Sequence, residues 1–356
     1  MLTLPAPQSA RSGVFAALAA ALLFGASTPL AKALLGDTSP LLLAGLLYLG
    51  SGVGLTLARL VRDRGWRGTA LDRRDAPWLA AAIGFGGVLG PVLLMFGLLY
   101  TSAASASLLL NLEAVFTAAI AWCVFRENAG ARIVLGMGAI VAGAALLSWP
   151  TAGGSTRGDA LGALAIAGAC LCWALDNNLT RKVSGGDALF IAGAKGLVAG
   201  SINTGLALVL AASLPAAPAL GAALLVGLFG YGVSLALFVL ALRRLGAART
   251  GAYFSTAPFI GAALAILVLH ESTPPSFWWA GGLMALGVWL HLTERHVHQH
   301  THEPLTHTHS HVHDEHHRHA HPDGWDGREP HSHEHTHEAV THAHRHYPDI
   351  HHRHAH

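Results

Sequence analysis

"YTSAASASLLLNLEAVFTAAIAWCVFRE", residues 100 to 127, decides how this chain is built. Set over "RLGAARTGAYFSTAPFIGAALAILVLHE", residues 244 to 271, it aligns end to end without a gap. Ala103-Ala104 falls on Ala247-Ala248, Ala118 on Ala262, Ala121 on Ala265 and Glu127 on Glu271, an offset of 144 residues. Farther upstream, "LLFGASTPLAKA" (22–33) matches "LCWALDNNLTRK" (171–182) at an offset of 149. Identity is weak, yet self-similarity at a fixed period is the mark of a duplicated unit.

Composition sets the solvent of those units. Of 356 residues 52% are hydrophobic and 12% charged, against roughly 25% charged in a soluble domain. The apolar residues fall in ten runs, 14–35, 41–60, 77–100, 103–125, 132–149, 159–180, 188–212, 217–242, 248–269 and 275–292. Most are long enough to cross a hydrocarbon layer of about 30 Å. Inside lipid each backbone amide must bond within its own segment, so the runs predict helices. The fold class expected is all-α: a polytopic membrane protein of ten transmembrane helices. Short turn-rich connections such as "GDTSP", "SLPAAP" and "ESTPPS" separate them. The N-terminal run follows Arg11 like a secretory leader, but "FGASTPLAKALL" prolongs it into a span.

Basic residues orient the bundle. Arg59, Arg62, Arg64, Arg67, Arg73 and Arg74 follow the second run; Arg126 and Arg132 flank the fourth connection. Arg181 and Lys182 follow the sixth run, and Arg243, Arg244 and Arg249 follow the eighth. Alternate connections are almost bare, Arg157 excepted, and Lys32 is expected to snorkel outward. The positive-inside rule then places both termini in the cytoplasm of a multi-pass cell-membrane (inner or plasma membrane) protein. Five helices per unit make the second unit enter from the opposite side, giving a 5+5 inverted-topology repeat. That architecture suits alternating access. The expected divisions are a cytoplasmic N-terminus (1–13), a first unit (14–150), a second unit (158–293) and a histidine-rich tail (294–356).

Residues 107–127 and 252–271 resemble the two signature segments of EamA-type proteins of the drug/metabolite transporter superfamily. The resemblance covers residues 14 to 292 and implies ten helices in a 5+5 inverted repeat. It also implies transport of a small solute without naming it. Two features depart from the family pattern. The proline often found after the glutamate is Ala114 here, with Pro258 at the corresponding place in the second unit, and the tail is not part of the common fold.

A charge at the bilayer centre costs roughly 2.5–3.5 kcal/mol on insertion scales, so intramembrane polar residues mark candidate sites. Glu113, two residues after Asn111, lies near the middle of the fourth helix and is expected to bind a proton or cation on the central path. Asp176, Asn177 and Asn178 form a polar knot near the cytoplasmic end of the sixth helix. Lys195 in the seventh is at a depth that permits an ion pair with Asp176, and Asn203 extends its stripe by two turns. Pro29, Pro91 and Pro258 are candidate helix breaks; Trp173, Trp278, Trp279 and Trp289 read as interfacial anchors. Cys123, Cys170 and Cys172 sit in apolar runs and read as small hydrophobes rather than disulfide partners.

Of 25 histidines, 23 lie between His296 and His356. Histidine-x-histidine steps recur at His296, His298, His300 and His302; at His307, His309, His311 and His313; at His331, His333, His335 and His337; and at His342, His344 and His346. In an extended chain alternate residues share one side, and neutral imidazole suits zinc, nickel, cobalt and copper. The tail is therefore expected to be a disordered, metal-binding cytoplasmic segment. No GxxxxGK[ST] loop appears, so ATP-driven transport is not supported. Nothing resembles a Ser-His-Asp constellation or a closed zinc site, so an enzyme is not expected, nor is any cofactor for transport.

The function expected is a secondary transporter, in the efflux direction, of a small metabolite, a drug-like solute or a divalent transition metal. The alternative is a membrane-tethered metal sensor or store. Partners expected are the lipid bilayer, the small-molecule or metal-ion substrate and, as the one protein partner considered, a second copy of the chain; nucleic acid is not among them.

Overall fold

A computed structural model of the protein describes residues 7–36, 38–66, 68, 74–125, 130–149, 157–180, 187–245, 247–293 and, in the tail, 296–302, 305–311, 331–337 and 340–346. The body is all-helical. Helix α1 spans Pro7–Leu34 and α2 Pro40–Asp63. Ser39 starts α2 by accepting from the Leu42 amide, with Pro40 preset for the first turn. The third crossing is α3 (Ala76–Ala82), a π-helical stretch Ile83–Leu89, and α4 (Gly90–Tyr100). The fourth is two helices, α5 (Ala103–Leu109) and α6 (Leu112–Phe125). Then come α7 (Ala131–Leu147), α8 (Arg157–Thr180) and α9 (Ala188–Val209), the last capped by Asp187.

The eighth expected span is, like the third, interrupted by a π-helical stretch: α10 (Ala217–Gly227), Leu228–Val233, and α11 (Ser234–Leu245). The ninth, like the fourth, is two helices, α12 (Ala247–Phe254) and α13 (Ala257–Val268). Helix α14 (Pro275–Thr293) closes the bundle. Eight of these crossings are long and apolar enough to span a membrane; the other two expected spans are α7, with 17 residues, and α14, with 19. Large apolar side chains such as Leu57, Leu135, Leu164 and Leu267 are exposed on the outside, where a bilayer rather than water is the fitting solvent.

Helix pairing follows small residues. The broadest contact is α2 on α9. There a Cβ on Gly52 would sit 2.3 Å from the Leu197 amide nitrogen, so only glycine permits the approach. Helix α7 packs on α14, α1 on α11 and α13, α8 on α4 and α6, and α5 on α13. The core holds Leu42, Leu43, Leu47, Leu94, Met95, Leu98, Leu108, Ile140, Ile166 and Met284. Beyond the ends of α2 and α9, the Asp187 carboxylate takes both Arg62 and Arg59, the latter at 3.1 Å.

Several expectations need correction. The fourth and ninth crossings are broken helices, and in the first unit the break occurs without a proline. The carbonyls it frees are met by side chains: Asn111 Nδ2 donates to Leu108 O at 2.9 Å, and the Cys170 thiol lies 3.7 Å from Leu109 O. In the second unit Ser255 Oγ donates to Ala252 O at 2.9 Å. Pro29 breaks nothing; α1 runs through it. Lys32 does not snorkel outward but turns back to donate to Leu98 O and, at 3.1 Å, to Thr101 O. The tail, expected to lack regular structure, forms strands β1 (His296–His302), β2 (Leu305–His311), β3 (His331–His337) and β4 (Val340–His346). β1 pairs antiparallel with β4 and β2 with β3, so that His298 opposes His344 and His309 opposes His333. Val297, Thr301, Thr308, Thr336 and Thr341, β-branched residues next to the histidines, suit that ladder. His313, Glu127, Arg181 and Lys182 lie outside the described residues.

Candidate functional site

The site assembles around the π-helical stretch Ile83–Leu89. A π turn leaves carbonyls off the regular ladder and is a frequent functional device. Here three side chains meet them. Tyr48 OH of α2 donates to Gly86 O at 2.7 Å, and Trp173 Nε1 of α8 donates to the same oxygen at 3.0 Å. Asn203 Nδ2 of α9 lies 3.3 Å from Val88 O and 3.4 Å from Gly87 O. Trp173 is 8% exposed and thus belongs to the packed interior, not to the membrane interface as its position suggested. Asn203 is fully buried, and its Oδ1 has no hydrogen-bond partner among the described residues.

Gly86 also makes room for a charge. A Cβ there would lie 2.0 Å from Asp176 Oδ2. The two Asp176 oxygens receive Lys195 Nζ at 2.5 and 2.6 Å, and Thr180 Oγ1 donates to Oδ1 at 2.9 Å. The pair joins α8 to α9. Both groups are largely buried, with 10% and 16% of their side-chain surface exposed. Such a pair survives away from water only when both partners are present and further hydrogen bonds complete it, as Thr180 does.

Glu113 opens α6 immediately after the break. Its Oε1 accepts from Asn177 Nδ2 of α8 at 2.8 Å. Counting ten residues from Ala103, it lies about 15 Å along the segment. Glu113 is half-buried and Asn177 exposed, so the pair can be reached from outside the packed core. No salt bridge to Glu113 is found among the described residues. The neighbouring carboxylate, Asp176, already has its counter-ion. The arrangement separates two kinds of intramembrane acid: one neutralised by a lysine, one held by a neutral amide.

Three consecutive residues of α8 thus face three ways. Asp176 reaches α9, Asn177 reaches α6, and Asn178 folds back on its own helix, donating to Ala174 O at 2.8 Å. Asn111, expected beside Glu113, is instead spent on the helix break and on Met284 of α14, whose sulfur lies 3.9 Å away. Sequence reasoning missed Tyr48, Gly86 and Trp173. The glycine-rich "GFGGVLG" run was a readable signal of a special backbone; their convergence on one carbonyl was not.

A second wall is aromatic. The ring centroids of Tyr48 in α2 and Tyr231 in the second π-helical stretch are 5.7 Å apart, and Phe24 lies 6.0 Å from Tyr231 and 5.4 Å from Phe254. The surroundings are thus mostly apolar with a few placed polar groups. In the tail the histidines are placed by strand register only, and His296, His298, His300, His302, His342, His344 and His346 fall on β1 and β4.

The EamA-like transporter family matches residues 11–149 and again residues 160–293. An uncharacterized transporter of Methanothermobacter thermautotrophicus is 29% identical over 300 residues, covering 78% of this chain and 85% of its own. A solved crystal structure with 19% identity superposes with a TM-score of 0.58 over 79% of this chain and 96% of its own, a likeness of fold alone.

Proposed function

The chain belongs to the EamA-like transporter family, a membrane transporter family, and on that premise we propose a secondary carrier that exports a small solute by alternating access, with Glu113 as its proton- or cation-binding group. The observation that carries this reading is the Glu113–Asn177 contact: a half-buried carboxylate within an apolar span, held by an amide that cannot neutralise it. Such a group binds a proton or a cation more cheaply than it stays bare in lipid. The Asp176–Lys195 pair is a structural brace in this reading.

Support for two mirror-related halves comes from matching irregularities. The π-helical stretches begin at Ile83 and Leu228, and the helix breaks precede Leu112 and Ala257, each pair 145 residues apart. Gly86 backs onto Asp176 and Gly230 onto Ser27, and the offsets of 144 and 149 relate Gly86 to Gly230 and Ser27 to Asp176. Numbering the crossings one to ten, the pairs 1–8, 1–9, 2–7, 4–9 and 5–10 map onto 6–3, 6–4, 2–7, 4–9 and 5–10 when five is added to each index and numbers past ten wrap round. Two halves so related can rock about the site between them.

Both termini are read as cytoplasmic, from the arginine-rich alternate connections. The tail is an accessory there, binding zinc, nickel, cobalt or copper through its histidine ladders. The solute is an organic metabolite, a drug-like compound or a divalent metal. The test is flux in proteoliposomes of the full chain under an imposed pH gradient, with ethidium, a mixed amino-acid pool and zinc as probes. Flux that collapses in Glu113→Gln, with the protein still monodisperse, supports the reading. Undiminished pH-driven flux in that variant removes Glu113 from the mechanism. If no probe moves and only deletion after Arg295 alters zinc binding, the chain is a tethered metal store.

A further inference from the structure

A polar contact between the two units lies away from the central site. Glu271 follows α13, and its carboxylate reaches the first amides of α5: Ala103 N to Oε1 at 2.8 Å and Ala104 N to Oε2 at 2.8 Å. The first turn of a helix has four amides without helical partners and carries the positive end of the dipole. Ser102 Oγ satisfies the Ser105 amide from within the same segment, at 3.1 Å. Glu271 satisfies two more, those of Ala103 and Ala104, from 168 and 167 residues away. Its reach is set by the backbone: His270 takes a left-handed φ of 54° and the Glu271 amide turns back toward Ala265 O at 3.5 Å. That conformation usually belongs to glycine at a helix C-terminus.

Lys32 completes the arrangement from α1. It donates to Leu98 O and Thr101 O, the carbonyl end of α4. A cation therefore meets the negative end of α4 and an anion the positive end of α5, on either side of the Thr101-Ser102 turn. The three outer ends of α1, α5 and α13 are drawn together, with Ser107 of α5 buried against Gly261 of α13. Glu113 lies beneath this roof on the same crossing, about 15 Å down. Opening a path from the face opposite the tail to Glu113 means parting α5 from α13 or α1.

We propose that Glu271, with Lys32, is the outer latch of the carrier: its grip on the Ala103 and Ala104 amides holds the outer face shut, and its release opens that face. The proposal rests on the alternating-access reading above. Glu271 acts through helix position and is not assigned contact with the solute. A helix cap with no gating role would look identical in one conformation, so the test must separate the two.

A cysteine introduced by Ser107→Cys, in the full chain with Cys123, Cys170 and Cys172 replaced, is probed with a membrane-impermeant maleimide from the face opposite the tail. Labelling is compared for Glu271→Gln, Lys32→Gln and Ser102→Ala. The glutamine loses two charge-assisted hydrogen bonds, so labelling should rise by about tenfold or more. Lys32→Gln should raise it in the same direction. Ser102→Ala weakens the same helix start without linking the units and should leave labelling near the parent rate. An unchanged rate in both Glu271→Gln and Lys32→Gln overturns the latch, as does an equal rise in Ser102→Ala, which marks a mere cap. Labelling needs no solute. Latch-dependent labelling without flux would therefore keep the latch and lose the carrier, whereas flux with latch-independent labelling would lose the latch alone.

Discussion

Replacing Gly86 by alanine tests the central site through a single methyl group. The added Cβ would fall 2.0 Å from Asp176 Oδ2 and 2.3 Å from its Cγ. Ordinary contact begins near 3.4 Å, so the carboxylate must retreat by about 1.4 Å (3.4 − 2.0). Its bonds to Lys195, now 2.5 and 2.6 Å, would stretch to about 4 Å if the lysine stays in place. Overpacking costs about 1–3 kcal/mol and parting a buried ion pair about 3–5 kcal/mol. Because the pair can shift together, about 3 kcal/mol is the reasonable sum. Alanine returns up to about 1 kcal/mol over glycine in a helix, leaving a net loss of about 2 kcal/mol. Gly84, in the same π-helical stretch, is the internal control: a Cβ there meets nothing within 4 Å. Gly84→Ala should be neutral or gain up to about 1 kcal/mol. The difference, about 3 kcal/mol, corresponds to several degrees in thermal midpoint in detergent. In an Asp176→Ala background the obstacle is gone, and Gly86→Ala should then lose most of its cost. Equal midpoints for Gly84→Ala and Gly86→Ala would refute the packing argument, as would full additivity with Asp176→Ala.

Three further outcomes follow from the same geometry. Asp176→Asn or Lys195→Met alone should cost about 3–5 kcal/mol by stranding a charge, while Asp176→Leu with Lys195→Met should recover most of it; normal flux in the double variant would mark the pair as a brace and nothing more. At Asp187 burial pushes the carboxyl up, but the hydrogen bonds from Arg62 and Arg59 outweigh it and hold it below the usual carboxylate range. Its stabilising effect is therefore full above an unfolded pKa of about 3.9 and fades as pH falls through the lower folded value; thermal midpoints of wild type and Asp187→Asn between pH 3 and pH 6 should converge only at the acid end. Deletion after Arg295 should abolish retention on a nickel resin and high-stoichiometry zinc binding by calorimetry while leaving the unfolding midpoint of the bundle unchanged; a lowered midpoint would show that the tail braces the body.

The crossings were legible because their cause is local. In lipid a run of about 20 apolar residues has one way to satisfy its amides, and that way is a helix. The Asp176–Lys195 pairing was readable from the same regularity: rise per residue puts the two side chains at similar positions along neighbouring helices. Even Glu271 announced itself, as the equal of Glu127 in a second unit.

What the sequence could not order was the choice of partner. Asp176, Asn177 and Asn178 are adjacent letters, but 100° steps around α8 send them to α9, to α6 and to their own backbone. Which neighbour waits at each angle depends on how helices far apart in the chain pack. Asn111 looked like a companion to Glu113 until the break in the fourth crossing gave it a carbonyl to bind. Trp173 looked interfacial until the π turn offered Gly86 O. Lys32 looked outward until the end of α4 lay beneath it. Apolar length marks each helical segment from within that segment. The identity of the site belongs to the fold, because a freed carbonyl or a bare helix end exists only once the segments have met.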